Sequence, residues 1–450
     1  MVRRSEEERQ VLGTAGGLLG LASGDRSSTT ARLAECGRFA GAAVNIVANI
    51  LLIATTGVEL FTDRSEETER ASITAFLFSV SIINLIKALS LVRQRWRLRR
   101  LVASLVDIRR SFREEEGTRQ RYARQAAVFG FIWLVPAEMH LTFWCLDPLI
   151  SHALSSADEE PQLPLPVWLP FNQSDPSNYG FLWTLESSMI VSGVQLSLFI
   201  DVVFVTLIIS VTAEIHVLNS NIQSMRKATT HVTSLQSMTT TSTFARTARD
   251  TASSDESIIL PNSITTNIGL VSTSISDFTS RYSKQGKSAD DEMYRLLVKS
   301  IQHHQLIVEC VSELEKAVSM GIFAVLSINI LNLCSHVFSL VVMLETDTSM
   351  STKIKMFLAA PVFMCQSGLY CLTGQAIIDQ SDRLADSAYS CGWPDADQRF
   401  KRSLRVLMTR AEQPLCIKVG KLIELSRATF QELLKGTYQL FNLVYQVHTN

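Results

Sequence analysis

Hydrophobic and polar residues alternate in blocks along the chain, and six of the apolar blocks are long enough to cross a bilayer. Each block holds about twenty residues almost without charge, which is the length that a helix needs to span the hydrocarbon core. Such runs predict membrane-spanning helices and therefore an all-α polytopic membrane protein. The six predicted spans are residues 37–61, 72–92, 126–149, 187–213, 317–344 and 354–379.

A seventh apolar block, residues 422–447, differs from the other six because a polar stripe runs along it. The stripe recurs every three or four residues, so its members share one helix face: Gln431, Lys435, Gln439, Asn442 and Gln446. Only residues 436–447 lack charged side chains. This stretch rises about 18 Å, less than the thickness of the bilayer core. We therefore expect protein or water, rather than lipid alone, to surround this seventh helix.

The distribution of Lys and Arg predicts the orientation of the spans. Residues 93–124 contain 11 Arg, whereas residues 125–225 contain no Lys or Arg. With the N-terminus placed inside, 35 of the 42 basic residues fall at the inner side and 4 at the outer side. Basic residues accumulate in cytoplasmic loops, so we expect a cytoplasmic N-terminus and an extracellular C-terminus.

The segments around the spans predict the domain organisation. Residues 214–289 are rich in Ser and Thr and are expected to form a cytoplasmic insert, flexible at least in part. The outer loop contains the sequon Asn172-Gln173-Ser174, a predicted glycosylation site. Residues 380–421 alternate apolar and basic positions around a Gly-Trp-Pro break and predict a cytoplasmic anchor helix, packed on partner subunits or on lipid head groups. The predicted regions are 1–36 (cytoplasmic N-terminus), 37–213 (spans one to four, with outer loop 150–186), 214–289, 290–379 (spans five and six with a cytoplasmic helical extension), 380–421 and 422–450 (last helix).

Composition and motifs argue against an enzyme and against a nucleic-acid-binding protein. The net charge is −1, so no bulk electrostatic attraction to nucleic acid is expected. The eight cysteines include no CxxC pair, and His303-His304 lacks a third ligand at a spacing that suits a metal ion. No hydrolase, zinc-protease or phosphate-binding motif occurs in a supporting context. We therefore expect no catalytic residue, no metal and no other cofactor.

Polar residues inside the predicted spans are candidates for function because polarity is costly in lipid. Lys87 and Asp201 are possible partners, in either a structural or a functional role. Aromatic and small residues at similar depth in spans two, three, four and six predict an apolar cavity for a small lipophilic ligand, with plain helix packing as the alternative. The residues predicted to line it are Thr74, Leu77, Phe78, Ala137, His140, Phe143, Trp144, Met189, Gly193 and Tyr370.

The C-terminal 70 or so residues resemble a known family. Ser381–Val447 contains, in order, "LADSAYSCGW", a basic helix ending in "RAEQPL", "LSRATFQELLKGTY" and a closing Gln-Val. Together these pieces resemble the C-terminal signature of insect odorant receptors. The pieces "HHQLIVECVSELEKAVS" and "NLCSHVF", before and within span five, are also similar to that family.

The resemblance implies a seven-helix, tetrameric, odorant-gated, non-selective cation channel in the plasma membrane of sensory neurons. In that family the last helices surround one pore, the cytoplasmic helices form an anchor domain, and odorants bind in the outer half of spans two to six. By position, the implied pore and gate residues are Gln439, Asn442, Leu443, Gln446 and Val447. The implied partners are a small volatile organic ligand, identical subunits or an odorant co-receptor, and membrane lipid, with no nucleic acid.

Two features bear on the type of subunit. The tail lacks the "TYFMVLVQ" form of the odorant co-receptor, which favours a ligand-tuned subunit. The long 228–290 insert lies where the co-receptor has one, so homotetramer and heterotetramer both stay open. The alternatives are a gustatory receptor channel of the same superfamily and, less compatible with the basic residues, a G-protein-coupled receptor with its N-terminus outside.

Overall fold

A computed structural model describes residues 29–62, 68–114, 117–154, 163–165, 167, 178–252, 264–345 and 350–449. These residues form eight α-helices, one 3-10 turn and one short hairpin. The helices are α1 Thr29–Thr62, α2 Thr68–Ser111, α3 Thr118–Leu154, α4 Tyr179–Ala252, α5 Ile264–Glu345, α6 Met350–Tyr389, α7 Gln398–Ala411 and α8 Arg427–Thr449; the 3-10 turn is Trp393–Asp395, and the strands are β1 Lys418–Val419 and β2 Ile423–Glu424.

Helices α1 to α6 are long and apolar enough to cross a membrane. Each of the six spans predicted from the sequence lies within one of them, so those spans are confirmed. The all-α membrane fold is confirmed as well, with the small hairpin as an addition. Helix α8 does not meet the same criterion of apolar length, because Glu432 and Lys435 interrupt its first half.

Helices enter the predicted cytoplasmic insert, residues 214–289, from both sides. Helix α4 continues to Ala252, and α5 begins at Ile264. Residues 214–252 contain neither Gly nor Pro, so no residue in them breaks a helix that the apolar span has already nucleated. Asn172 and most of the predicted outer loop lie outside the described residues.

The predicted anchor helix at 380–421 is also corrected, because three elements replace it. Helix α6 ends at Tyr389, and Gly392 then adopts a left-handed conformation, with φ 85°, before the 3-10 turn. Helix α7 starts anew after Asp397, whose side chain accepts a hydrogen bond from the Phe400 backbone N–H at 2.7 Å. The Gly-Trp-Pro break expected from the sequence is confirmed.

A hairpin delays the start of the last helix, which was predicted to begin at residue 422. Strands β1 and β2 pair antiparallel, and the residues between them include Gly420 and Lys421, both with positive φ (59° and 64°). Two successive left-handed residues are typical of a tight hairpin turn and are incompatible with a helix. Helix α8 therefore begins at Arg427, after Ser426, whose hydroxyl accepts from the Thr429 N–H at 3.2 Å.

The start of α8 is attached to α6 at closely spaced points. A Cβ added to Gly374 would lie 2.5 Å from the Leu425 carbonyl oxygen, so only glycine allows this approach of the two backbones. The Arg427 N–H donates to the Gln375 side chain at 3.0 Å, and the Arg427 guanidinium contacts Asp379 at 2.8 Å. These contacts fix where the last helix begins.

The chain divides into two compact units. The first contains Met1–Glu214, Ile307–Asp379 and Leu415–Asn450, and the second contains Ile215–Leu306 and Gln380–Pro414. In the second unit, α7 buries its apolar face, and Arg399 lies over the Tyr294 ring at 4.4 Å. The buried residues of α7 are Phe400, Leu404, Leu407 and Ala411.

A buried ion pair lies inside the first unit. The Lys87 ammonium in α2 is 2.7 Å from the Asp201 carboxylate in α4, and each side chain is only 1% exposed. Lys87 also donates to the Ser197 hydroxyl at 2.8 Å, and Asp201 accepts from Gln366 and Tyr370 of α6 at 2.7 and 2.5 Å. The pairing predicted from the sequence is confirmed.

The same network reaches α5. The Asn329 amide donates to the Gln366 side-chain oxygen and to the Ser367 hydroxyl, both at 3.0 Å. Side chains of α2, α4, α5 and α6 thus form hydrogen bonds with one another inside an otherwise apolar bundle, where an unpaired polar group is costly.

We expect Lys87→Met and Asp201→Asn each to destabilise the protein by about 3–5 kcal/mol, because each leaves the other charge buried without its main partner. The double variant should recover much of that loss, since no unpaired charge remains. The measurement is the melting temperature of the purified protein in detergent.

The matched control for this pair is Arg295→Gln, which removes an exposed ion pair with Glu292 and should change stability by less than about 1 kcal/mol. Equal melting temperatures for the two single variants and the wild type would contradict a structural role for the buried pair.

Candidate functional site

A cavity of about 100 Å³ lies inside the first unit, between α1, α2, α3, α4 and α6. For comparison, a dry protein cavity of about 150 Å³ holds benzene. The lining is mostly apolar, and it changes character along the bundle axis. We call the end near Phe76 and Trp144 the aromatic end, and the end near Asn84 and Trp133 the polar end.

Aromatic rings pack against one another at the aromatic end. The Phe76 ring lies 5.9 Å from the Trp144 ring and meets the Phe363 ring edge-on at 5.6 Å between centroids. The His140 ring lies 5.5 Å from the Trp144 ring. Such tilted and edge-on contacts are favourable geometries for aromatic pairs, so they hold the walls of the cavity in place.

Part of the loop between α3 and α4 packs beside the aromatic end. Leu165 and Val167 are buried in the same apolar cluster as Trp144. Two hydrogen bonds hold this segment: the Trp144 indole N–H donates to the Pro164 carbonyl at 3.0 Å, and the Leu165 N–H donates to the Glu186 carboxylate at 3.0 Å. The loop backbone is thereby satisfied although it is buried.

The polar end is lined by side chains that can form hydrogen bonds, although none of the lining residues carries a charge. Ser197 and Gln366 belong both to this lining and to the network around Asp201. Asn84 lies one helical turn before Lys87, and Ser81 one turn before Asn84, so all three positions lie on one side of α2. The cavity therefore adjoins the buried ion pair.

Five of the ten predicted ligand-contacting residues line the cavity. They are Leu77, Ala137, His140, Trp144 and Gly193. The other five do not line it, and as ligand contacts they stay predictions. They are Thr74, Phe78, Phe143, Met189 and Tyr370.

Four of these residues have described contacts. Tyr370 donates its hydroxyl to Asp201, and the Thr74 hydroxyl donates to the backbone carbonyl of its own helix at Arg70, 2.8 Å away. The Phe78 ring lies beside Gly57 of α1, and Met189 packs in the apolar cluster that includes Trp144. Which side chains of a helix line the cavity depends on the rotation of that helix about its own axis.

Several residues that line the cavity were not predicted from the sequence. Phe76, Trp133 and Phe363 carry no signal that separates them from other aromatic residues in the spans. Asn84 and Gln366 do carry one, because an amide inside an apolar span requires a partner. That signal was the same one that led to Lys87 and Asp201.

The predicted pore residues lie along α8. Gln431, Lys435, Gln439 and Gln446 are exposed in the single chain, and Asn442 is half-buried. Leu443 and Val447 are 59% and 73% exposed. Apolar residues on the other side of α8 are half-buried, and the Phe430 ring packs 3.3 Å from the position of a Cβ on Gly368.

A second recess, of about 440 Å³, is bordered by α3, α4 and α6, with Arg121 and Arg124 on its edge. It is larger, but two of the residues that line it are charged. Sites for small lipophilic ligands are mainly apolar with a few polar groups, so the first cavity, which has aromatic walls and no charged residue in its lining, is the better candidate. In the part of the chain that the structure describes, no group of three or more His, Cys, Asp or Glu side chains could hold a metal ion.

Comparisons with known proteins agree with this architecture. The family model described as 7tm Odorant receptor matches residues 68–438. Odorant receptor 85c of Drosophila melanogaster is 29% identical over 153 residues, which are 34% of this chain and 38% of that protein. Odorant receptor 10 of Aedes albopictus is 32% identical over 168 residues, which are 37% of this chain and 42% of that protein. The chain thus matches less than half the length of these relatives.

A solved structure of similar fold is the insect olfactory receptor OR5 from Machilis hrabei in complex with eugenol. It superposes with a TM-score of 0.69 at 12% identity and covers 99% of each chain. This likeness shows the fold, and the family model shows the relationship over most of the sequence. The resemblance read from the C-terminal residues is confirmed: the chain belongs to the insect odorant receptor family.

Proposed function

We propose that this chain is a ligand-tuned subunit of a tetrameric, odorant-gated, non-selective cation channel. The proposed ligand is a small volatile organic molecule, bound in the cavity that Trp144 and Asn84 line. The observation that carries the proposal is that one helix, α6, contacts both this cavity and the helix that bears the polar stripe.

The cavity has the properties that a small lipophilic ligand requires. It is mainly apolar and walled by aromatic rings, and its volume of about 100 Å³ suits a compact molecule of at most one small ring. The related fold of OR5 from Machilis hrabei was solved with eugenol. That precedent supports a small organic ligand for this chain.

Helix α6 offers a path from the cavity to α8. It lines the cavity with Val362, Phe363 and Gln366. Further along the same helix, Gly368 lies against Phe430 within α8, and Gly374 lies against Leu425, just before α8 begins. Packed helices shift as stiff bodies between discrete arrangements, so a ligand that displaces α6 also displaces the start of α8.

The polar stripe of α8 supports a pore-lining role in a tetramer. In four copies around one axis, Gln439 and Asn442 would face water while the apolar sides of α8 pack on neighbouring helices. A helix with a short apolar stretch then suffices, since no lipid needs to cover it. Leu443, Gln446 and Val447 would form the gate, in which apolar rings close a pore by expelling water.

The proposal also includes location and partners. The distribution of basic residues supports a cytoplasmic N-terminus and an extracellular C-terminus. Membership of the odorant receptor family supports the plasma membrane of sensory neurons as the location. The other subunits are identical chains or an odorant co-receptor, and Asn172 remains a predicted glycosylation site.

The direct test is to record currents under a panel of volatiles in cells that express this chain alone or with a co-receptor. Surface-expressed protein that gives no current in either setting would contradict the channel.

We expect Leu443→Ala and Gln446→Ala to change the reversal potential or conductance of odorant-evoked currents while agonist potency stays within about threefold. The physical reason is that both residues lie on or beside the stripe of α8, far along the chain from the cavity lining. Whole-cell and single-channel recordings measure the effect.

The matched control for the pore variants is Leu422→Ala, because Leu422 is 82% exposed and precedes α8. It should leave permeation as in the wild type. Normal reversal potentials and conductances in both pore variants would count against α8 as the pore wall.

We expect Trp144→Ala to shift agonist potencies by about tenfold and to alter their rank order, because it removes a large part of the aromatic end. Ion permeation should not change. Dose–response curves over a broad volatile panel provide the measurement, with surface labelling to confirm expression.

The matched control for the cavity is Trp96→Ala in α2, since Trp96 is 63% exposed and does not line the cavity. Unchanged dose–response curves for Trp144→Ala across the whole panel would remove Trp144 from the ligand site.

A further inference from the structure

The polar end of the cavity contains an amide without a partner. Asn84 lines the cavity and is only 7% exposed, yet its side chain forms no hydrogen bond with any residue that the structure describes. A buried amide without a partner costs free energy, and it is tolerated where a ligand supplies the missing bond.

A second unpartnered donor lines the same end. Trp133 is 3% exposed, and its indole N–H has no hydrogen-bond partner among the described residues. An indole N–H can only donate, and a carboxamide offers two donor hydrogens and one acceptor oxygen. Together the two side chains present more donors than acceptors to an occupant.

The other polar groups at this end are already engaged. The Ser81 hydroxyl donates to the Leu77 carbonyl at 2.8 Å. Gln366 donates to Asp201 at 2.7 Å and accepts from Asn329 at 3.0 Å. The Ser197 hydroxyl accepts from Lys87 at 2.8 Å. Among the polar-end side chains discussed, Asn84 and Trp133 are therefore the two that form no hydrogen bond with a described residue.

We propose that the cavity selects small carbonyl-bearing volatiles over hydrocarbons of the same shape. The carbonyl oxygen accepts hydrogen bonds from Asn84 and Trp133, and the hydrocarbon part packs between Phe76, Trp144 and Phe363. This inference deepens the proposed function and rests on it. The cavity volume of about 100 Å³ restricts the ligand to a compact molecule such as a monocyclic ketone.

The ligand pairs for the test are small cyclic ketones, from cyclobutanone to cyclohexanone, each with its methylenecycloalkane. The two members of a pair have nearly the same shape and differ in one acceptor oxygen. Binding is measured as thermal stabilisation of the purified receptor, and activation is measured as current in cells. In the wild type, at least one ketone should bind and activate about tenfold more strongly than its hydrocarbon partner.

Asn84→Leu replaces the amide by a side chain of similar size and should remove most of this preference by weakening ketone binding about tenfold. Trp133→Phe keeps an aromatic ring, removes the N–H and should reduce the preference about threefold, which keeps the proposal testable if Asn84→Leu does not fold. The matched control is Ile83→Val, an apolar change in the same lining, which should shift both members of each pair equally.

Three results would overturn the inference. One is that no ketone in the series binds more tightly than its hydrocarbon partner. Another is that Asn84→Leu and Trp133→Phe shift ketone and hydrocarbon equally, as expected if these side chains hold only water. A third is that His140→Phe, at a lining position whose Nδ1 also lacks a partner, abolishes the preference while the two polar-end variants keep it.

The two readouts separate this inference from the proposed channel. Ketone-selective binding without current would support the ligand class and contradict the channel. Current with equal potency for both members of every pair would support the channel and contradict the ligand class.

Discussion

The ion pair between Lys87 and Asp201 is the contact on which the arrangement of the cavity depends. Two charges in an apolar bundle are tolerated only if they meet each other and their remaining hydrogen-bonding capacity is filled. That requirement sets the rotation of α2 against α4 and of both against α6. Asn84 lies three residues before Lys87 and Ser197 four residues before Asp201, so both are carried to the same side, where they line the polar end.

The central part of helix α6 is held by contacts on two sides. Near the cavity, Gln366 and Tyr370 are held by Asp201. Further along, Gly374 permits the close approach of Leu425, and Asp379 contacts Arg427. The bundle interior and the start of α8 are thus linked through one stiff helix. In the proposed channel, this link is what allows occupation of a buried cavity to reach a distant gate.

The comparison with OR5 from Machilis hrabei separates fold from ligand recognition. At 12% identity the two chains share a fold over 99% of their lengths. Long apolar helices and their packing order survive such divergence, because many apolar side chains fill the same space equally well. The few polar side chains in the cavity are not interchangeable in this way, so ligand preference depends on the residues of the individual chain.

The sequence alone determined the features that depend on length, periodicity and charge. These are the six apolar spans, the polar stripe of the last helix, the Gly-Trp-Pro break, the pairing of two intramembrane charges, and the family resemblance of the C-terminal residues. Each follows from a local pattern or from the high cost of an isolated charge in lipid.

The tertiary structure alone decided which faces meet. Lipid-facing and protein-facing surfaces of a spanning helix are similarly apolar, so the sequence pattern does not report the rotation of the helix. Half of the predicted ligand residues therefore turned away from the cavity, Tyr370 and Thr74 among them, while Phe76 and Phe363 turned toward it. The late start of α8 likewise depends on the backbone of Leu425 reaching Gly374, a contact between residues far apart in sequence that no local pattern encodes.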